Sequence, residues 1–207
     1  MSNANFASAS KPLTIGGGIW VAPVGTPLPT STTDQLNEDF ESLGYISADG
    51  VKRNISNSPK KHKAWGGAVV AVTDEGKEET LKFVTIDAGN AKAQELAYGE
   101  ATGSLSVGMT VKSTSGPRPT NSYVIDMLMK DNVRKRLVVP QGMVTEVGVT
   151  TYGDNDLLGS DMTVTAMADS DGVTVYDYTK APAASTQSGG NAETTGTETD
   201  GEGGGNG

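Results

Sequence analysis

Between Leu105 and Lys112 apolar and polar residues alternate without a break, Leu105, Val107, Met109 and Val111 against Ser106, Gly108, Thr110 and Lys112. A repeat of two is that of a strand, so this stretch predicts a sheet with one packed face. Shorter segments of the same kind recur. Ile19–Pro23 reads as a strand closed by proline, Leu81–Ile86 as a run of β-formers, and Val144–Tyr152 and Met162–Ala168 as two more. Tyr123–Met129 and Val133–Val139 flank Asp131-Asn132, which reads as a two-residue hairpin turn. Asp169–Gly172 turns into a last strand, Val173–Tyr178. The 27 glycines and few aromatic residues favour turns and tight corners over long helices.

Two brief helices complete the reading. Thr32 and Gln35 fit a capping box, with Leu36, Phe40 and Leu43 on one stripe, Asp34 in the first turn and Gly44 as the stop. Asn90 caps a second helix, Ala91 to Tyr98, which Gly99 ends; Ala93, Leu96 and Ala97 make its apolar face. The expected fold is mainly β, a sandwich or barrel with one or two short flanking α-helices. Residues 1–18, small and polar, read as a flexible N-terminal arm, and 19–180 as the β-domain. Residues 181–207, rich in Gly, Ser and Thr with four acids and no base, read as a disordered tail.

Charge is segregated along the chain. An acidic segment, 34–43, leads through Tyr45-Ile46-Ser47 and a turn at Ala48-Asp49-Gly50 to a basic stretch expected to be a long inter-strand loop, about 51–64. It carries Lys52, Arg53, Lys60, Lys61 and Lys63 and ends at Trp65-Gly66-Gly67. A second cluster, Lys130 with Arg134-Lys135-Arg136, straddles the hairpin turn. The net charge of −9 argues against general nucleic-acid affinity, and no aromatic residues interleave with the 52–63 cations for base stacking. Solvated loop charge is the bland account of both clusters; complementary patches that bring copies together are the alternative.

Catalytic chemistry finds little support. His62, the single histidine, lies among lysines with no orienting acid. Asp154-Asn155-Asp156 with Asp161, and Asp169-Ser170-Asp171-Gly172, resemble pieces of calcium loops but lack the glutamate at the twelfth position; Asx turns explain both. Gly16-Gly17-Gly18 lacks the Lys-Ser/Thr of a phosphate loop. With no cysteine there is no disulfide, thiolate metal site or Cys nucleophile. No cofactor, metal or catalytic set is expected. No apolar run approaches the roughly 20 residues of a membrane helix, and the N-terminus has no signal-peptide pattern, so a soluble chain without membrane insertion is expected.

Four stretches in order resemble the major tail (tail tube) proteins of long non-contractile-tailed phages, actinobacteriophage type. They are Ile19–Pro23 with Gly25 and Pro27-Leu28-Pro29; Phe40–Gly50 followed by Lys63–Gly67; Arg134–Val147 running on to Thr151-Tyr152; and Met162–Asp169, ending near Tyr176–Tyr178. The resemblance spans about residues 19–178. It implies a tail-tube-type β-sandwich in hexameric rings stacked around a tape-measure protein, between tail-tip and tail-terminator proteins. DNA would pass transiently through the lumen at ejection. It further implies a structural virion protein of the tail, not an enzyme, assembled in the bacterial host cytoplasm. The arm, residues 1–18, and the loop, about 51–64, would bridge rings, and the inter-subunit contacts expected are Lys52, Arg53, Lys60, Lys61, Lys63, Trp65, Arg134 and Arg136. Strand positions suggest Glu78, Glu79, Asp126 and Asp161 as acids facing the lumen. The alternative reading is a virion-displayed β-sandwich that binds a receptor or carbohydrate, which predicts an aromatic platform beyond Trp20 and Trp65. A hydrolase built on an Asp/Glu pair is a third reading.

Overall fold

The computed structural model describes residues 8–154 and 157–182. Strands dominate them: β1 (Ser10–Pro12), β2 (Ile19–Pro23), β3 (Glu41–Ser42), β4 (Ile46–Lys63), β5 (Val69–Thr85), β6 (Gly99–Ser104), β7 (Gly108–Ser113), β8 (Thr120–Met129), β9 (Arg134–Val147), β10 (Ser160–Met167) and β11 (Tyr176–Lys180). The one α-helix among them is α1 (Ala91–Tyr98). Antiparallel neighbours run β3-β2-β8-β9-β10-β5-β4, an open path; β1 adds to β8, β11 adds to β9, and β6 and β7 form a separate hairpin.

β9 bends this sheet into two layers. One edge of β9 pairs with β8; the other gives Arg134–Val138 to β11 and Gln141–Val147 to β10. The hand-over falls at Val139-Pro140, where proline has no N–H to offer a ladder. Register shifts at Asn121/Tyr123 in β8 and Thr163/Val164 in β10 flank it, and such bulges sharpen twist and bend. The result is sandwich-like. Ile19, Val21, Tyr123, Ile125, Leu137 and Val139 share one core with Leu81, Phe83, Met162 and Val164, joined by Ala93, Leu96 and Ala97 of α1. At Gly142 an added Cβ would lie 2.8 Å from Val164 and 3.1 Å from the Tyr123 ring, so a bare backbone is what lets the layers close there.

α1 forms as its sequence dictates. The Asn90 side chain accepts from the Ala93 N–H, and Gly99 ends the helix at φ 115°. The helix expected after Thr32 does not form. Phe40 packs with Ala22, Val124, Val138, Leu28 and Leu36 on the outer face of β2–β8–β9, whereas Leu43 belongs to the inner core. The chain crosses the sheet edge between them as β3, so the i, i+4, i+7 spacing never shares one face. Residues 30–34 form a turn in which the Asp34 carboxylate accepts from the Ser31 hydroxyl and from the Thr30 N–H and hydroxyl, at 2.6–3.0 Å.

Three further expectations change. The basic stretch from Val51 on is not a loop but strand β4, paired along its length with β5. In the alternating stretch Leu105-Ser106-Val107 is the β6–β7 turn, with Leu105 74% and Val107 83% exposed; of the predicted packed face only Met109 is half-buried. The β8–β9 turn includes Lys130 as well as Asp131 and Asn132, the last two at φ 59° and 58°. Asp and Asn tolerate that left-handed backbone better than most residues. Apart from Ala181 and Pro182, the expected tail lies outside the described residues, as do residues 1–7.

Candidate assembly surfaces

β4 and β5 make one long antiparallel hairpin whose outer part leaves the body of the protein. Every residue of β4 from Lys52 to Lys63 is exposed, and so are Val69–Asp74 on β5. Ser56 to Lys63 alone spans roughly 26 Å of strand. The composition of β4 is poor for a strand, with Asn, Ser, Pro and four lysines; β5 supplies the β-forming partner in Val69, Val70, Val72 and Thr73. β4 is also a sheet edge, and its lysines, Pro59 and register shifts at Asn57/Pro59 and His62/Lys63 are devices that discourage indiscriminate edge pairing. At the tip the Ala64 N–H bonds to the Ala68 carbonyl, Gly66 and Gly67 turn at φ 106° and 90°, and Trp65 is fully exposed. Ile55, Val69, Val70 and Val72 are each more than half exposed.

A charged network fastens the hairpin where it departs. Glu79, with no exposed surface, pairs with the Arg53 guanidinium and with Lys77 at 2.7 Å, and accepts from the Thr174 hydroxyl at 2.6 Å. Arg53 reaches Asp177 of β11 at 3.6 Å, and Lys135 of β9 holds the same carboxylate at 2.7 Å. Burial pushes the Glu79 pKa up, but the hydrogen bonds from Lys77, Thr174 and Arg53 outweigh it, so the carboxyl stays below its ordinary value.

A second ion pair lies beneath the outer face. Arg136 and Asp126, directly opposite in β9 and β8, form a bidentate pair at 2.6 and 2.9 Å with both side chains buried. The remaining Arg136 nitrogen donates to the carbonyls of Ser31 at 3.0 Å and Asp34 at 2.8 Å, pinning the 30–34 turn onto the sheet.

The expected contact residues therefore separate. Lys60, Lys61, Lys63 and Trp65 come together on the outer hairpin; Lys52 is exposed beside Asp49 at 3.3 Å, and Arg134 is exposed at the start of β9. Arg136 is buried inside the protomer, and the structure corrects its assignment as a surface contact, whereas Arg53 stays exposed while its guanidinium pairs with Glu79 and Asp177. Of the four acids, Glu79 and Asp126 are likewise internal; a buried carboxylate in an ion pair cannot face a lumen. Glu78 is exposed, and Asp161 binds Lys82 at 2.9 Å. His62 bonds the Thr73 hydroxyl across the hairpin at 2.9 Å. Asp169 accepts from the N–H groups of Asp171 and Val173 and from the Tyr176 hydroxyl, so its carboxylate organises a turn. Sequence reasoning missed the apolar half of the hairpin and the Asp177–Lys135 link. The first had a signal in the Val69–Val72 run; the second depends on β11 lying beside β9.

A shallow groove of about 700 Å³ opens beside β2, between Pro23–Pro27 and a wall of Glu38, Asp39 and Glu41. No helix among the described residues is long and apolar enough to cross a membrane. A search of curated proteins finds no match. The family model for phage tail tube proteins matches residues 11–189, most of the chain, from within β1 through β11. The chain belongs to the phage tail tube protein family, and it is a structural protein of the virion tail.

Proposed function

We propose that copies of this protein assemble into hexameric rings, and that the rings stack into the tail tube through which DNA is ejected. Assembly takes place in the host cytoplasm around the tape-measure protein, with tail-tip and tail-terminator proteins at the two ends. The hairpin carries this reading. A two-stranded ribbon is marginal in water unless something packs on it, and this one exposes five large apolar side chains. A neighbouring copy supplies the missing layer. Glu78 and Asp161 are the acids available to an inner wall, where negative charge keeps DNA phosphates from exchanging counterions for protein cations.

Electron microscopy of the purified full-length protein, alone and with the tail-tip complex, tests this. Rings or tubes are expected; particles that stay monomeric under both conditions overturn the reading. Replacing Lys60, Lys61 and Lys63 by Glu is expected to leave the monomer folded and abolish polymerisation. Undiminished tube formation by that variant would remove the hairpin from the assembly.

A further inference from the structure

We infer that the groove between Pro23–Pro27 and Glu38–Glu41 on one copy receives the hairpin tip of another, with Trp65 seated against the prolines and Lys61 and Lys63 facing the carboxylates. This rests on the self-assembly proposed above and names the surface that the hairpin meets.

Charge is the first ground. From Pro12 to Val51 the chain has no lysine or arginine and carries Asp34, Glu38, Asp39, Glu41 and Asp49. From Asn57 to Thr73 it has three lysines and no carboxylate. Neither the Glu38 nor the Asp39 carboxylate has an ion pair among the described residues, and Glu41 has only Lys92, at 3.8 Å. Opposed patches of this kind attract and register their bearers.

Shape is the second. One side of the groove carries the apolar residues Pro23, Val24 and Pro27, with Val24 45% exposed. Proline rings and aromatic planes are natural packing partners. Trp65 is the one fully exposed aromatic ring on the described surface, held at the tip of a ribbon with the lysines behind it.

Reach is the third. Ser56 to Trp65 is roughly 30 Å of strand running away from the body, whereas Glu41 is five residues from Ile46, at the start of β4. A ribbon paired along this length with β5 carries its tip away from the segment it starts in. The contact is between copies.

Charge reversal on both sides tests the pairing in the full-length protein. The Lys61→Glu/Lys63→Glu and Glu38→Lys/Asp39→Lys variants should each raise the concentration needed for tube formation at least about tenfold, and the chain with all four changes should return to within about threefold of wild type. All four positions are exposed, so circular dichroism should report unchanged monomers. As the chain has no cysteine, Trp65→Cys combined with Val24→Cys should give an intermolecular disulfide ladder on oxidation of assembled protein. A groove-reversed chain that assembles like wild type, with no ladder, overturns the inference while the hairpin's role stands. Wild-type protein that never assembles overturns both.

Discussion

Arg136 stands in a run of three basic residues, and nothing in that run sets it apart from Arg134 or Lys135. Its role comes from register. A two-residue turn at Asp131-Asn132 would place Arg136 opposite Met127; inclusion of Lys130 in the turn shifts the pairing by one and brings Asp126 across instead. A one-residue slip decides which side chains meet, which is why this pair was not legible in the sequence. Replacing Asp126 by Asn strips a buried guanidinium of its counter-charge, so a loss of about 3–5 kcal/mol is expected. That corresponds to a melting temperature lower by roughly 10 °C, readable by calorimetry. Asp34, in the turn pinned by Arg136, makes a pH prediction. Hydrogen bonds from the Ser31 side chain and from the Thr30 backbone and hydroxyl lower its pKa from 3.8 to about 2. Because the fold favours the ionised form, this contribution is complete above about pH 4 and is lost as the pH falls through about 2. The Asp34→Asn variant should therefore show a flatter decline in melting temperature across that window than wild type. Equal slopes would remove Asp34 from the acid response.

At the scale of elements, legibility followed how local the determinants are. α1 was readable to the residue because its cap, its apolar face and its terminating glycine all lie within ten positions, 90–99. The helix expected over 32–43 had an equally good local pattern, but the opposite faces of the sheet claimed Phe40 and Leu43. β4 was hidden for the opposite reason, since its own residues resist strand formation and it exists through pairing with β5. A ribbon held this way depends on its root. Glu79→Gln leaves Arg53 and Lys77 without their shared carboxylate and weakens the bond to Thr174, just ahead of β11. Amide exchange in the monomer should speed up for 53–63 and 69–79 while Tyr123–Ile125 in the central strand stay protected. Uniform exchange changes across both regions would mean that the network supports the whole sandwich, not the hairpin.

At the scale of the whole molecule, most of the exposed large apolar side chains among the described residues gather in three places: the outer hairpin, the β6–β7 hairpin with Leu105 and Val107, and the segment holding Val149, Tyr152 and Leu157. A soluble monomer has little reason to display so many, and a tube subunit has neighbours to cover them. Of the alternation at Leu105–Lys112, the strand reading holds from Gly108 on, as β7, while Leu105-Ser106-Val107 turn. Residues 181–207 stand apart by composition, with almost no large apolar residue, no base and four acids. Ending the chain after Lys180 keeps β11 whole and lowers the net charge from −9 to −5, so copies repel one another less on approach. Tubes of the shortened protein should form at wild-type yield, and faster at low ionic strength. The rate advantage should vanish near 1 M salt, where the screening length is about 3 Å. The family match runs on to residue 189, nine positions past the cut. A truncated chain that folds as a monomer yet fails to polymerise at any salt would place an assembly contact within those nine residues or beyond.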